Sequence, residues 1–246
     1  MSRPPRPDVA VVTGGGSGIG RAAGIALAAA GFHVVFAGRT LATVAESVAL
    51  AGSGAAHVLD VTDAAAVDSL FDELGRLDLL VNSAGVFTAQ RPVADTTDED
   101  WEASLGINVT GSFYPARAAF RVMAAQQPRG GRIINLGSVS AQVPRPQATP
   151  YTVSKHAVTG LTKSLALEGR DLDIAVGQLD IGNAATSMTQ GLQVGALQPD
   201  GSRRPEAAFD VVHVADTIVF LARLPLSVTV PFMTVMATAM PLLGRG

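Results

Sequence analysis

The chain has 246 residues, of which 48% are hydrophobic and only 16% are charged, so it can build a large core and whole-chain disorder is excluded. A formal net charge of -3, without a basic stripe, argues against a nucleic-acid partner. The lack of cysteine excludes disulfides and cysteine-ligated zinc. The four histidines lack metal-ligand spacing, so no metal site is expected.

Neither end of the chain has the pattern of a targeting segment or a membrane span. Residues 1–8 are rich in proline and arginine and lack the apolar core of a signal peptide, so they are predicted to be a flexible lead-in. The longest apolar stretch, residues 230–243, is too short to span a membrane and contains Pro231 and Pro241. We expect a cytoplasmic protein with no membrane partner.

Short β-branched runs alternate along the chain with longer amphipathic stretches rich in alanine and leucine. This alternation predicts an α/β fold, a doubly wound parallel sheet of about seven strands with helices on both faces. No repeat or linker interrupts it, so residues 1–246 are expected to form a single domain. In chain order, the predicted elements are strand 9–12, helix 18–30, strand 33–37, helix 41–50, strand 56–59, helix 64–74, strand 79–81, helix 101–125, strand 132–136, helix 151–168, strand 174–179, helix 211–224 and strand 232–237.

One segment departs from this alternation. Residues 187–208 carry several glycines and prolines and show neither helical nor strand periodicity. A long structureless segment in a compact domain is usually functional or disordered. We therefore predict an irregular lid over the substrate at residues 187–208.

The first predicted strand runs directly into a glycine-rich loop, TGGGSGIG at residues 13–20, and a helix follows. Glycines at such a point let the backbone turn sharply and approach a pyrophosphate, and the helix N-terminus adds oriented N–H groups. The alternative is a loop that only turns the chain. The strand–loop–helix context favours the phosphate site, and the spacing TGxxxGxG differs from the GxGxxG of other dinucleotide-binding folds.

Tyr151 and Lys155 lie four residues apart in a predicted helix, so their side chains share one face. A free tyrosine has a pKa of about 10 and is a poor base at neutral pH, but a nearby ammonium group favours the phenolate. Such a tyrosine can exchange a proton with a carbonyl or alcohol oxygen. Taken alone the pair is a weak motif, because chance pairs at this spacing are common.

Further motifs accompany this pair in order along the chain. NSAG at residues 82–85 follows the fourth predicted strand, Asp60 and Val61 end the third, and Ser138 stands 13 residues before Tyr151. With the glycine loop, these motifs resemble the short-chain dehydrogenase/reductase family over nearly the whole chain. The resemblance implies an NAD(P)-binding Rossmann-type domain that transfers a hydride between a nicotinamide cofactor and a carbonyl or secondary alcohol.

The resemblance also implies the site residues. Tyr151 would exchange the proton and Ser138 would orient the substrate oxygen. Lys155 would promote the phenolate and bind the nicotinamide ribose, while Asn108 would hold a water that relays protons. The implied cofactor-binding set comprises Gly14, Gly16, Ser17, Gly18, Ile19, Gly20, Arg39, Asp60, Val61, Asn82, Ala84, Gly85, Tyr151, Lys155, Ile181, Gly182 and Thr186.

The end of the second predicted strand bears on which cofactor is bound. NAD-preferring proteins usually place an acidic residue here to bind the ribose 2′-hydroxyl. This chain has Gly38 there, followed by Arg39, whose guanidinium suits a 2′-phosphate. NADP(H) is therefore favoured, with NAD(H) as the alternative. Ser17 weakens this preference, since many NADP-preferring relatives carry a second basic residue in the glycine loop.

Several points remain open at the level of sequence. The family's Pro-Gly-x-x-x-Thr motif has Ile181 in place of proline, so that loop is expected to be less rigid. Near the predicted pocket, apolar residues stand beside Arg145, Arg203 and Arg204, so the substrate could be a mixed or apolar ketone or could carry an anionic group. The alternative is that these arginines face solvent, as loop cations commonly do. An NADP(H)-binding redox-sensing regulator without turnover is the alternative function. A homodimer or homotetramer through the two longest helices is expected.

Overall fold

A seven-stranded parallel sheet forms the centre of the computed structural model, which describes residues 7–189 and 195–242. The strands are β1 Val9–Thr13, β2 His33–Gly38, β3 Ala55–Val58, β4 Leu79–Asn82, β5 Gly131–Leu136, β6 Ile174–Ile181 and β7 Phe232–Val235. Their spatial order is β7-β6-β5-β4-β1-β2-β3, and every neighbouring pair is parallel. The predicted doubly wound α/β fold is confirmed.

Helices cover both faces of this sheet, and successive residues of each strand point to opposite faces. The helices are α1 Gly18–Ala29, α2 Leu41–Ala51, α3 Ala64–Leu74, α4 Asp98–Leu105, α5 Gly111–Ala125, α6 Thr149–Glu168 and α7 Val212–Ala222. Val11 packs with α3, α5 and α6, whereas its neighbour Val12 packs with α1, α2 and α7. Because both faces are covered, β1 and β4 at the centre are nearly continuous apolar runs.

The prediction of one helix over residues 101–125 is wrong in one respect. A π-helical turn, Gly106–Thr110, separates α4 from α5, and α4 begins earlier, where the Thr97 side chain accepts a hydrogen bond from the Asp100 amide. Pro115 in the second turn of α5 has no N–H to donate to the Gly111 carbonyl, and its ring crowds that carbonyl. The π-helical turn thus ends directly before the residue whose carbonyl this proline leaves without its usual donor, and π-turns are frequent at functional sites.

The irregularity predicted for residues 187–208 needs correction, whereas their role as a lid stays a prediction. Within the described residues the segment contains a helical turn, Ser187–Thr189, and a small hairpin in which Ala196–Leu197 pairs with Arg203–Arg204. The hairpin forms because Pro-Asp-Gly at residues 199–201 is a turn sequence, with Gly201 at a φ of 81°. Residues 190–194 of the predicted lid lie outside the described residues. The segment therefore has local order that its composition alone did not indicate.

All seven strands differ from their predicted bounds by one or two residues at one or both ends. The third strand begins and ends one residue earlier than predicted, and the last strand ends at Val235, two residues early.

Among the described residues, no helix has the length and apolar character needed to cross a membrane. The same residues contain no cluster of three or more histidine, aspartate or glutamate side chains that would hold a metal ion.

Candidate active site

Most of the predicted site residues meet in one pocket at the carboxyl ends of β1, β4, β5 and β6. The strand order reverses between β1 and β4, and open α/β sheets bind ligands at such a reversal. The pocket brings the glycine loop and the candidate proton-transfer residues together. The predicted residues that line it are Gly14, Ser17, Gly18, Ile19, Gly20, Ala84, Gly85, Ser138, Tyr151, Lys155, Ile181, Gly182 and Thr186.

The glycine loop forms a cradle without side chains. Gly14 has a φ of 65°, and a Cβ added to Gly20 would overlap the Gly14 carbonyl oxygen, so both positions require glycine. Thr13 Oγ1 fixes the loop against the neighbouring strand by accepting hydrogen bonds from the amides of Ser83 and Ala84, at 3.0 and 3.1 Å. The first turn of α1 carries no acidic residue, and its N-cap makes no side-chain cap hydrogen bond. This bare, electropositive helix end fits an anionic diphosphate.

Arg21 supports the cradle and was missed by the sequence analysis. Its guanidinium donates to the Gly16 carbonyl at 2.6 Å and pairs with Glu46 at 2.6 Å, which ties the loop to α2. A cation in the first turn of a helix is electrostatically unfavourable unless it has such partners. That local conflict was the available signal in the sequence.

Arg39 and Asp60 lie beside each other beyond the pocket, at the ends of β2 and β3. Hydrogen bonds from the Thr62 hydroxyl and amide hold the pKa of Asp60 below its usual value, and the Arg39 guanidinium adds to this lowering. Arg39 is exposed and makes no hydrogen bond or ion pair with the described part of the chain. Its guanidinium is therefore available to a ligand.

Ser138 lies two residues after the end of β5 and lines the pocket. The Ser138 amide donates to Asp180 Oδ1 at 3.1 Å, and its Oγ accepts from the Ser140 amide at 3.1 Å. Among the described residues no acceptor is found for the Oγ hydrogen, so the hydroxyl can donate it to a substrate oxygen.

Tyr151 and Lys155 occupy adjacent turns of α6 and face the same pocket. The Tyr151 ring stands edge-on to Phe87, with ring centroids 4.8 Å apart. The buried Lys155 Nζ lies 5.7 Å from the Tyr151 ring centroid and donates to the Leu136 carbonyl at 2.9 Å. The ammonium group is thus held close to the tyrosine by the end of β5.

Asn108 lies in the π-helical turn and does not line the pocket. Its side chain is buried and clamps the loop after β4, since Oδ1 accepts from the Val86 amide at 2.8 Å and Nδ2 donates to the Val86 carbonyl at 3.0 Å. Nδ2 also lies 2.9 Å from Ser154 Oγ on α6. The side chain joins two walls of the site, and the predicted water relay remains a prediction.

Five residues of the predicted cofactor-binding set do not line this pocket: Gly16, Arg39, Asp60, Val61 and Asn82. Val61 is buried in the core beside α5, and the Asn82 amide is directed into the fold, where it donates to the Ser112 carbonyl and to Asn135 Oδ1. Cofactor contacts by these five residues remain predictions.

A buried polar row beneath the pocket was also missed. Asn135 Nδ2 donates to Thr162 Oγ1 at 2.9 Å, and Thr162 Oγ1 donates to Gln178 Oε1 at 3.1 Å. Gln178 Nε2 in turn donates to Asp180 Oδ1 at 2.7 Å, and Gln142 Nε2 donates to Asp180 Oδ2 at 2.8 Å. The signal in the sequence was an amide and a carboxylate inside the apolar strand β6, since buried polar groups need partners.

The three arginines near the pocket differ in environment. Arg203 and Arg204 are exposed, as expected for loop cations, and Arg204 pairs with Asp200 at 2.8 Å. Arg145 instead lines the pocket, is buried, and pairs with Glu206 at 3.0 Å. Only Arg145 among them lines the candidate pocket.

Comparison with known proteins agrees with this architecture. The protein-family model described as "short chain dehydrogenase" matches residues 8–195. The chain is 37% identical over 227 residues, 88% of this chain and 90% of the relative, to 3-oxoacyl-(acyl-carrier-protein) reductase of Synechocystis sp.. It is 39% identical over 168 residues to 3beta-hydroxysteroid dehydrogenase of Mediterraneibacter gnavus, which covers 65% of this chain and 60% of that protein.

A solved structure extends the likeness to three dimensions. Gluconate 5-dehydrogenase from Burkholderia cenocepacia J2315, in complex with NADP and tartrate, is 29% identical and superposes with a TM-score of 0.80 over 93% of each chain. The chain belongs to the short-chain dehydrogenase family, because it matches the family model over most of its length and has the parallel sheet and the relatives described above.

Proposed function

We propose that the protein is an NADP(H)-preferring oxidoreductase that interconverts a ketone and a secondary alcohol, with Tyr151 as the proton donor and acceptor. The observation that carries this proposal is one shared pocket. Ser138, Tyr151 and Lys155 line the same space as the bare glycine cradle, so a dinucleotide and a carbonyl group can meet there.

The cofactor assignment rests on the fit of the residues present. The cradle at residues 14–20 would hold the diphosphate, and Ile181, Gly182 and Thr186 would border the nicotinamide. Arg39 would bind a 2′-phosphate, and the NADP bound to the Burkholderia relative supports this preference. A reduced nicotinamide bound there supplies the hydride that the substrate carbon receives.

The side chains supply the proton and orient the oxygen. During reduction, the Tyr151 hydroxyl donates its proton to the carbonyl oxygen, and the Ser138 hydroxyl donates a hydrogen bond to the same oxygen. Lys155, held by the Leu136 carbonyl, places a positive charge beside the phenolate that remains. In oxidation, Tyr151 removes the proton from the alcohol.

Tyr151→Phe tests this assignment, and the chain's other tyrosine provides a matched control. In a panel of ketones followed by the absorbance of NADPH, Tyr151→Phe should lower kcat/KM by a factor of about 10² to 10⁴. The Kd for NADPH should stay unchanged, because the hydroxyl is not needed for the cradle. Tyr114→Phe, on α5 beside Phe113 and Arg117, should keep activity.

The outcomes separate the two functions considered. Undiminished turnover of Tyr151→Phe would refute the role of Tyr151. Tight NADPH binding by the wild-type protein with no oxidation across the whole panel would instead favour the redox-sensing regulator.

A further inference from the structure

Arg145, Asn183 and Glu206 form a closed triangle of buried side chains next to the candidate substrate space. Arg145 Nη1 lies 3.0 Å from Glu206 Oε2, and Arg145 Nη2 donates to Asn183 Oδ1 at 2.6 Å. Asn183 Nδ2 donates to the same Glu206 Oε2 at 2.9 Å. The side chains of Arg145 and Glu206 are only 8% and 2% exposed, so solvent screens this pair weakly.

The triangle joins three segments that surround the substrate. Arg145 follows Ser138 in the loop before α6, Asn183 follows β6, and Glu206 follows the hairpin of the predicted lid. Arg145 and Asn183 line the same pocket as Tyr151, whereas Glu206 does not. The carboxylate therefore lies behind the guanidinium as seen from the pocket.

This arrangement controls the charge that a substrate meets. A lone buried arginine would attract a carboxylate and bind it bidentately. Here Glu206 already neutralises the guanidinium, so a second carboxylate would lose its hydration and gain little attraction, with Glu206 close enough to repel it. An uncharged group loses less hydration and can still accept a hydrogen bond from an N–H of Arg145.

We infer that Arg145 and Glu206 are specificity-determining residues. Together they restrict the pocket to ketones that carry no charge on the group that faces Arg145. This inference rests on the proposed function and names its substrate class. It predicts that neutralising Glu206 alone converts the pocket into one that accepts anions, because Arg145 then stands unpaired beside the substrate.

A matched pair of ketones tests the inference: 4-oxocyclohexanecarboxamide and 4-oxocyclohexanecarboxylate, with NADPH. The wild-type protein should prefer the amide. Glu206→Gln should raise the carboxylate-to-amide ratio of kcat/KM by about tenfold or more, since a charged hydrogen bond becomes available. Arg145→Gln with Glu206→Gln should return the ratio towards the wild-type value. Asp200→Asn, which frees the exposed Arg204, should leave the ratio unchanged.

A second readout needs no turnover. The shift in Tm caused by cyclohexanecarboxylate, relative to cyclohexanecarboxamide, should follow the same order among the variants, with and without NADPH. If no variant reduces either ketone, the proposed function loses support while this pattern still tests the inference. Equal responses to the two probes in folded Glu206→Gln, or a wild-type preference for the carboxylate, would overturn the inference.

Discussion

Replacing Asp180 with alanine removes the acceptor that connects Ser138 to the buried polar row. The Asp180 carboxylate accepts hydrogen bonds from the Ser138 amide at 3.1 Å and from the side-chain amides of Gln178 and Gln142 at 2.7 and 2.8 Å. The glutamine amides can rotate towards other partners. The Ser138 amide belongs to the backbone and cannot.

The magnitude follows from these donors. A buried donor left without a partner costs about 1–3 kcal/mol, so Asp180→Ala should lower the free energy of unfolding by about 2–4 kcal/mol once the glutamines have partly adjusted. Loss of the anchor should also let Ser138 shift, and kcat should fall by about tenfold or more because orientation of the reacting oxygen is lost. The KM for NADPH should change less than kcat, since the diphosphate cradle follows β1 and only the nicotinamide end of the cofactor would lie beside Ile181 and Gly182.

Urea unfolding followed by circular dichroism, at a fixed protein concentration, measures the first effect, and ketone reduction measures the second. Asp63→Ala is the matched control, because Asp63 also accepts backbone N–H groups, from Ala65 and Ala66, but does not line the pocket. It should cost about 1 kcal/mol through the lost helix cap and leave kcat unchanged. An Asp180→Ala protein with wild-type stability and wild-type kcat would refute the reasoning. Should that variant fail to fold, Asp180→Asn keeps one acceptor oxygen and gives the milder test.

Further predictions concern the cradle, the cofactor preference and the assembly. Gly20→Ala should weaken NADPH binding, measured by fluorescence titration, by more than about tenfold, because the new Cβ overlaps the Gly14 carbonyl; Ala29→Ser at the exposed end of α1 should have no such effect. Arg39→Gln should lower the NADPH-to-NADH ratio of kcat/KM by about tenfold through loss of a charged hydrogen bond, and an unchanged ratio would contradict the role given to Arg39. Sedimentation velocity at micromolar concentration should give a dimer or tetramer associated through α4, α5 and α6, and a monomer alone would contradict that expectation.

The features that the sequence predicted well depend on residues that are close together in the chain. Strand and helix periodicity depends on neighbouring residues, so the order of the seven strands along the chain followed from their apolar runs. The glycine loop and the shared face of Tyr151 and Lys155 are also short-range features, each contained in one loop or one helix. The break at the π-helical turn was missed because the periodicity of residues 101–125 continues across it.

Contacts between distant segments needed the tertiary structure. Nothing near Asp180 in the chain shows that it anchors Ser138, 42 residues earlier, because that bond depends on the spacing of β5 and β6. The sequence did not decide whether Arg145 is a solvent-facing cation or binds an anion. The fold decided its environment by placing Glu206, 61 residues later in the chain, against its guanidinium. By itself, the sequence determined the seven strands, most of the helices and most of the residues that line the site. The tertiary structure decided how the buried polar groups are paired, because each of them must find its partner among whatever the packed strands and loops bring within hydrogen-bond distance.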